Sequence, residues 1–191
     1  TQIAALTATQ LASVSTAQVA ALTETQTGAL TTTQVAALST TQVRNLSATN
    51  LSALDATQAA ALTATQVANL TNTQIAALSV GDVGELTTTQ IAALTQSQVR
   101  ALTATTLAAL VDTQIAALTA TQVDSLTTTN VTGLTETQVG ALTTTQVAAL
   151  TNSQVQALTT TNLSALDATQ VSALTTGQAR AITATDRKSV V

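Results

Sequence analysis

LTTTQVAALSTTQV, residues 30–43, states one phrase twice at a spacing of eight. Thr33-Gln34-Val35 returns as Thr41-Gln42-Val43, and Leu30, Leu38 and Leu46 mark the same interval. An α-helix turns about 100° per residue, so eight residues swing an apolar stripe by about 80° per repeat. Neither a heptad seam nor a single buried helix face can follow such a stripe. A helix built from this phrase has to break once in every octad.

The chemistry of the break is written across the boundary. Ser39 followed by Gln42 is a capping box: the hydroxyl accepts from the N3 backbone N–H, and the Gln carbonyl accepts from the N-cap N–H. Leu38 and Val43 flank it at the positions of a hydrophobic staple. Thr31 repeats the set one octad earlier, and Asp55 and Asp167 take the same position as strong N-caps and poor strand residues. Glu24, Glu136 and Asp112 fall at the first helical position, where the helix dipole favours an anion. Ala in the middle of the octad adds helix propensity. Each octad is therefore predicted to be one helix of about six residues, roughly 9 Å long. Such a helix is unstable alone and persists by packing against its neighbours, as in a solenoid.

Cut every eight residues from Thr1, the chain stays in register throughout: 23 complete octads and a final one of seven residues. Within TQVAALTT, position 6 is Leu except at Val14, Ile182 and Val190, and position 3 is aliphatic except at Thr27, Ala59, Ala179 and Arg187, Ala59 and Ala179 counting as truncations. Val35, Leu38, Val43, Leu46, Val147 and Leu150 are the expected core, and Thr31, Ser39, Gln42, Asp55 and Asp167 the expected caps. Position 8 varies freely, as a solvent-facing site does. A 56-residue period lies beneath the octad: Gly28, Gly84 and Gly140 match, as do Arg44 and Arg100. The array divides into blocks 1–56, 57–112, 113–168 and a partial 169–191, with 185–191 a degenerate terminal unit. Duplication of seven octads explains the blocks, and so does a whole number of superhelical turns. Two to three octads per turn, seven octads in three turns, is the expectation.

The overall reading is an all-α solenoid in one array, residues 1–191. A β-solenoid is the rival, since Thr and Val favour strands. Its corners call for Gly or Asn, and only six Gly serve 24 octads.

Composition narrows the function. The chain has no Phe, Tyr, Trp, Met, Cys, His or Pro, and 7% charged residues. Without Cys there are no disulfides, thiolate metal sites or thiol chemistry. Only five Lys and Arg, three of them in the last twelve residues, argue against a nucleic-acid partner. No apolar run approaches the roughly 18 residues of a membrane span. The opening in mid-phrase without Met reads as a segment of something longer. With no His or Cys and scattered carboxylates, no catalytic, cofactor or metal site is expected. Asp82 and Glu85, i and i+3 in the deviant octad GDVGELTT, admit a shared cation, but a solvated helix face is the simpler reading. Arg44, Arg100 and Arg180 read as solvent-facing, with an anion groove the sharper alternative.

The string LTTTQVAALTN, residues 142–152, resembles octapeptide-repeat stretches of very large secreted or surface-attached bacterial proteins, including ones labelled adhesins or haem-utilisation proteins. The resemblance covers the whole chain and implies an extracellular spacer, stalk or self-assembling fibre segment. It transfers no binding residue, and no side chain here suits haem ligation. Self-association is the expected partnership. A peptide- or glycan-binding concave face is the alternative, and an ice-facing Thr array the third reading.

Overall fold

The computed structural model describes residues 2–182. Among them are 22 α-helices of four to six residues, preceded by a 3-10 turn at Gln2–Ala5, and no strand. The all-α solenoid expectation holds and the β-solenoid does not form. Val35 lies inside helix Thr32–Ala37 and Val147 inside Thr144–Ala149. The degenerate unit 185–191 lies outside the described residues.

The helix breaks where the capping chemistry places it. Helix Thr32–Ala37 stops, Leu38 turns to φ −58°, ψ 135°, Ser39 stays extended at φ −67°, ψ 156°, and the next helix starts at Thr40. Two extended residues separate this pair of helices, and where a helix has only five residues a further αR residue precedes the break, as at Ala53. No described residue has a positive φ. The left-handed Gly that ends many helices is therefore unused, which is how the chain manages with so few glycines. Gly133 is needed for a different reason: a Cβ there would come within 2.8 Å of the Ala104 Cβ, so small size lets two helices approach.

The chain divides into two compact units, residues 1–94 and 95–191. In each, a helix packs against the one three places later. In the first unit Ala8–Ala12 meets Thr32–Ala37, and Ala64–Ala68 meets Thr88–Ala93. In the second, Ala120–Ser125 meets Thr144–Ala149, and Asn152–Ala157 meets Thr176–Ala181. Side-chain hydrogen bonds reach one octad further: Gln42 Nε2 contacts the carbonyls of Leu11 and Val14, 31 and 28 residues back. A turn closes between the third and fourth octads, at about three and a half. The expectation of two to three octads per turn is corrected, and seven octads make about two turns, not three. The physical reason is a third inward row. Two aliphatic side chains per octad were expected to point inward, but the structure turns Gln inward as well, and the turn is correspondingly wider.

The expected core is buried. Val35, Val43 and Val147 have no exposed surface, and Leu38, Leu46 and Leu150 retain 3–4%. Thr32, Thr33 and Ala36 are exposed, so hydroxyls and methyls face solvent while Gln, the position 3 aliphatic and Leu face inward.

Candidate functional site

Polar chemistry repeated at every level of the solenoid is concentrated in one side chain, the Gln at N3. Its two ends do different work. The Oε1 of Gln42 accepts from the Ser39 N–H at 2.8 Å, while Gln42 N–H donates to Ser39 Oγ at 3.1 Å. Thr31 and Gln34 form the same pair at 2.8 and 3.2 Å. Asp55 and Asp167 cap as expected: their Oδ1 atoms accept from Gln58 and Gln170 N–H at 2.8 and 2.7 Å. The predicted caps are all in place.

The other end of the amide was not foreseen. Gln146 Nε2 donates to the carbonyls of Ile115 at 2.8 Å and Leu118 at 2.6 Å, in the preceding turn. Gln154 does the same to Val123 and Leu126, Gln178 to Val147 and Leu150, and in the first unit Gln66 to Val35 and Leu38. These acceptors lie at the ends of short helices: the position 3 carbonyls already accept from the Leu N–H three residues on, while the Leu carbonyls lie past the last helical residue and take the Gln amide. Each of these Gln thus caps the start of its own helix and the end of a helix one turn earlier. From Gln34 onward these side chains keep only 1–4% exposure. A buried amide with both ends paired avoids the cost of desolvation and ties turn to turn.

Exceptions follow from side-chain length and chemistry. Asn50, Asn130 and Asn162 are one methylene shorter and reach a single carbonyl each, at Leu22, Leu102 and Leu134. Thr106 bonds back to Thr103, its own N-cap. Val111, an N-cap without a hydroxyl, keeps the Gln114 Oε1 contact to its N–H, while Gln114 N–H falls back on the Val111 carbonyl at 2.9 Å. Thr27 replaces the buried aliphatic of its octad, and its Oγ1 is buried without a partner.

The largest departure is the octad around Asp82. Its carboxylate keeps the cap, accepting from Ser79 N–H at 2.6 Å, and takes a second bond from Ser52 Oγ at 2.7 Å. A carboxylate cannot donate to helix-end carbonyls, so the turn-to-turn link becomes a Ser52 hydroxyl pointing at Asp82. Ala59, smaller than its counterparts at position 3, helps leave a cavity of about 20 Å³. Leu51, Leu54, Leu62, Asp82 and Glu85 are among its walls. Glu85 lies just past helix Val80–Gly84, at its C-cap and not inside it as the i, i+3 reading had it. Burial, and then the charges of Asp82 and Asp55, raise its carboxyl above the ordinary value. Among the described residues no cluster of three or more acidic side chains is arranged to hold a metal ion.

Arg44, Arg100 and Arg180 each sit exposed in the last turn of a helix, where the dipole favours a cation. Arg100 Nε donates to the Ser125 carbonyl at 3.0 Å and so serves as one more turn-to-turn tie.

Comparison with protein-family models, with curated proteins and with solved structures returned no match.

Proposed function

We propose that the chain is a structural repeat, a spacer or fibre segment of a secreted or surface-attached bacterial protein, whose task is to hold distance and not to transform a substrate. The observation that carries this reading is the glutamine row. The recurrent buried polar group of the octad is committed at both ends to holding the fold, once to its own helix start and once to the turn before. In a solenoid of this kind each added turn brings its own interface, so stability and length grow with the number of octads. The cysteine-free composition and the resemblance to octapeptide-repeat regions support placement outside the cell.

Chains carrying 24, 48 and 72 octads, compared by small-angle scattering, test the spacer role. The maximum dimension should rise in proportion to the octad number. A radius of gyration growing only as a compact globule's, near the 0.38 power of length, would overturn the proposal. Antibody labelling of intact against lysed cells tests the location; signal restricted to lysed cells would remove the extracellular part.

A further inference from the structure

Five stretches of the chain carry the pattern Asn-X-Ser/Thr with X other than Pro: Asn45-Leu46-Ser47, Asn50-Leu51-Ser52, Asn69-Leu70-Thr71, Asn130-Val131-Thr132 and Asn162-Leu163-Ser164. This is the acceptor pattern for N-linked sugars, and its use calls for an accessible amide with a hydroxyl two residues on. The fold sorts the five into two kinds. Asn50, Asn130 and Asn162 stand in the donor row, 3–4% exposed, with each Nδ2 engaged by a carbonyl of the turn before. A sugar on any of them would have to fit where two turns pack, and a close-packed interior has no room of that size.

Asn45 and Asn69 are placed otherwise. Both take octad position 5 at the C-terminal end of a helix: Asn45 is the last residue of Thr40–Asn45, and Asn69 is the C-cap of Ala64–Ala68. Asn45 is exposed and Asn69 half-buried. Each Nδ2 donates to a carbonyl of its own helix, Thr41 O and Thr65 O, both at 2.8 Å, so neither amide ties one turn to the next. The octad supplies the rest of the pattern, because an aliphatic residue and then a hydroxyl N-cap follow position 5. Ser47 is the exposed cap after Asn45, and Thr71 the half-buried cap after Asn69. The two helices pack against one another within the first unit.

We propose that Asn45 and Asn69 are attachment sites for N-linked sugars, and that the other three acceptor patterns stay bare. The co-substrate is a glycosyl diphosphate, brought by a transferase. Nδ2 attacks the anomeric carbon, the bond from that carbon to the diphosphate oxygen breaks, and the diphosphate leaves with the electron pair. A base of the transferase takes one of the two Nδ2 protons. The proton that remains can still be donated to Thr41 O or Thr65 O, so attachment does not require the helix end to give up its bond. At Asn50, Asn130 and Asn162 the same step would set the sugar between two turns. This inference rests on the extracellular part of the structural-repeat reading, and it gives that reading a modification that keeps the solenoid surface hydrated.

Intact mass and peptide mapping of the chain isolated from its natural source read the occupancy. Sugar is expected on Asn45 and Asn69 and on none of Asn50, Asn130 and Asn162. A second arm measures the selection made by the fold. The purified folded chain and synthetic peptides spanning the five patterns are each given a transferase specific for Asn-X-Ser/Thr and a nucleotide-diphosphate sugar. Rates at Asn45 and Asn69 should fall within about threefold of their peptides' rates. Rates at the other three should fall at least about tenfold below theirs, because those amides wait for local unfolding. A source chain bare at both Asn45 and Asn69 would overturn the proposal. So would sugar on a buried Asn, or equal protection of all five in the folded chain. None of these results touches the growth of length with octad number, so the spacer reading is decided separately.

Discussion

Gln146→Glu isolates the donor half of the amide, because it preserves shape and the Oε1 cap acceptor to Thr143 N–H, at 2.7 Å. Lost are the Nε2 bonds to Ile115 and Leu118. Ile115 O still accepts from Leu118 N–H at 3.1 Å, so the Leu118 carbonyl is the one left bare. An orphaned buried acceptor costs about 1–3 kcal/mol. The introduced carboxylate also sits at a site 2% exposed, facing carbonyl oxygens. An uncompensated buried charge brings the total to about 3–5 kcal/mol at neutral pH. The acid arm makes the reasoning specific. Desolvation raises the folded-state pKa of the new carboxyl above its unfolded value of about 4.3. The charge penalty is therefore absent below the unfolded pKa and complete once pH has passed the folded one. In acid the protonated group can also donate one O–H, so the deficit should shrink to about 1–2 kcal/mol. Urea unfolding followed by far-UV circular dichroism, with hydrogen exchange over residues 111–150, measures both arms. Gln18→Glu is the control: the same chemistry at an exposed position should change stability by no more than about 0.5 kcal/mol. If Gln146→Glu matches that control, with a flat pH profile, the amide is not a turn-to-turn donor and the account of the fold fails.

Thr27→Val replaces a buried, unpartnered hydroxyl with a methyl and should stabilise the first unit by about 1–2 kcal/mol in urea titrations; a loss of stability would show that Oγ1 has a partner. Val111→Thr restores a missing cap hydroxyl on an exposed side chain and should add about 0.5–1 kcal/mol, read as a shift in thermal midpoint. Asp82→Gln should return an amide donor to the Leu51 and Leu54 carbonyls and stabilise the first unit by about 1 kcal/mol at pH 7. That gain should appear as slower hydrogen exchange around Leu51–Leu54, and unchanged exchange would count against it. The raised Glu85 carboxyl gives the first unit a pH dependence of defined sign. Its contribution is fully present below the unfolded pKa and is lost as pH rises through the folded one, so stability should increase on acidification from neutral. The increment stays well under 1 kcal/mol because Glu85 is only partly buried, and Asp82→Gln should reduce it by removing the nearer charge; a rise in stability with pH would contradict the assignment.

What was legible in the sequence is what acts within a few residues. The Ser39–Gln42 and Asp55–Gln58 pairs are three apart, so helix starts, helix ends and the Val35/Leu38 core could be read from a single octad. The turn-to-turn bonds join residues 28 and 31 apart, and no single octad records them. One signal did point there. A capping box accepts Glu as readily as Gln, yet 18 octads carry Gln at this position and none carries Glu. Glu does appear elsewhere, at Glu24, Glu85 and Glu136. Eighteen Gln and no Glu is the pattern of a row that uses a donor as well as an acceptor, with Asp82 the described position where a carboxylate serves as acceptor alone. The boundary after Leu94 has no such trace, because the octad grammar runs through it unchanged. Asp82 was legible as an acid but not as a residue standing in the donor row, since that row was itself unseen.

The 56-residue period gains a physical cause from the same row. A turn of about three and a half octads brings octad register and superhelical turn back together only after seven octads and two turns. Asn50, Thr106 and Asn162 stand 56 apart. Asn50 and Asn162 donate one bond to the turn before, and Thr106 is engaged with its own cap. Three of the weak links thus keep the 56-residue interval, while Asp82 and Asn130 fall between them. Each such octad forfeits about 1 kcal/mol of net hydrogen bonding. That loss is tolerable where neighbouring octads still span the turn. Around Asn162, Gln154 and Gln170 on either side hold the helix-end carbonyls of the turn before. A second weakened octad beside the first would leave a helix end uncapped over a longer stretch. What the described exceptions share is isolation: Asn50, Asp82, Thr106, Asn130 and Asn162 each stand between two octads that carry Gln.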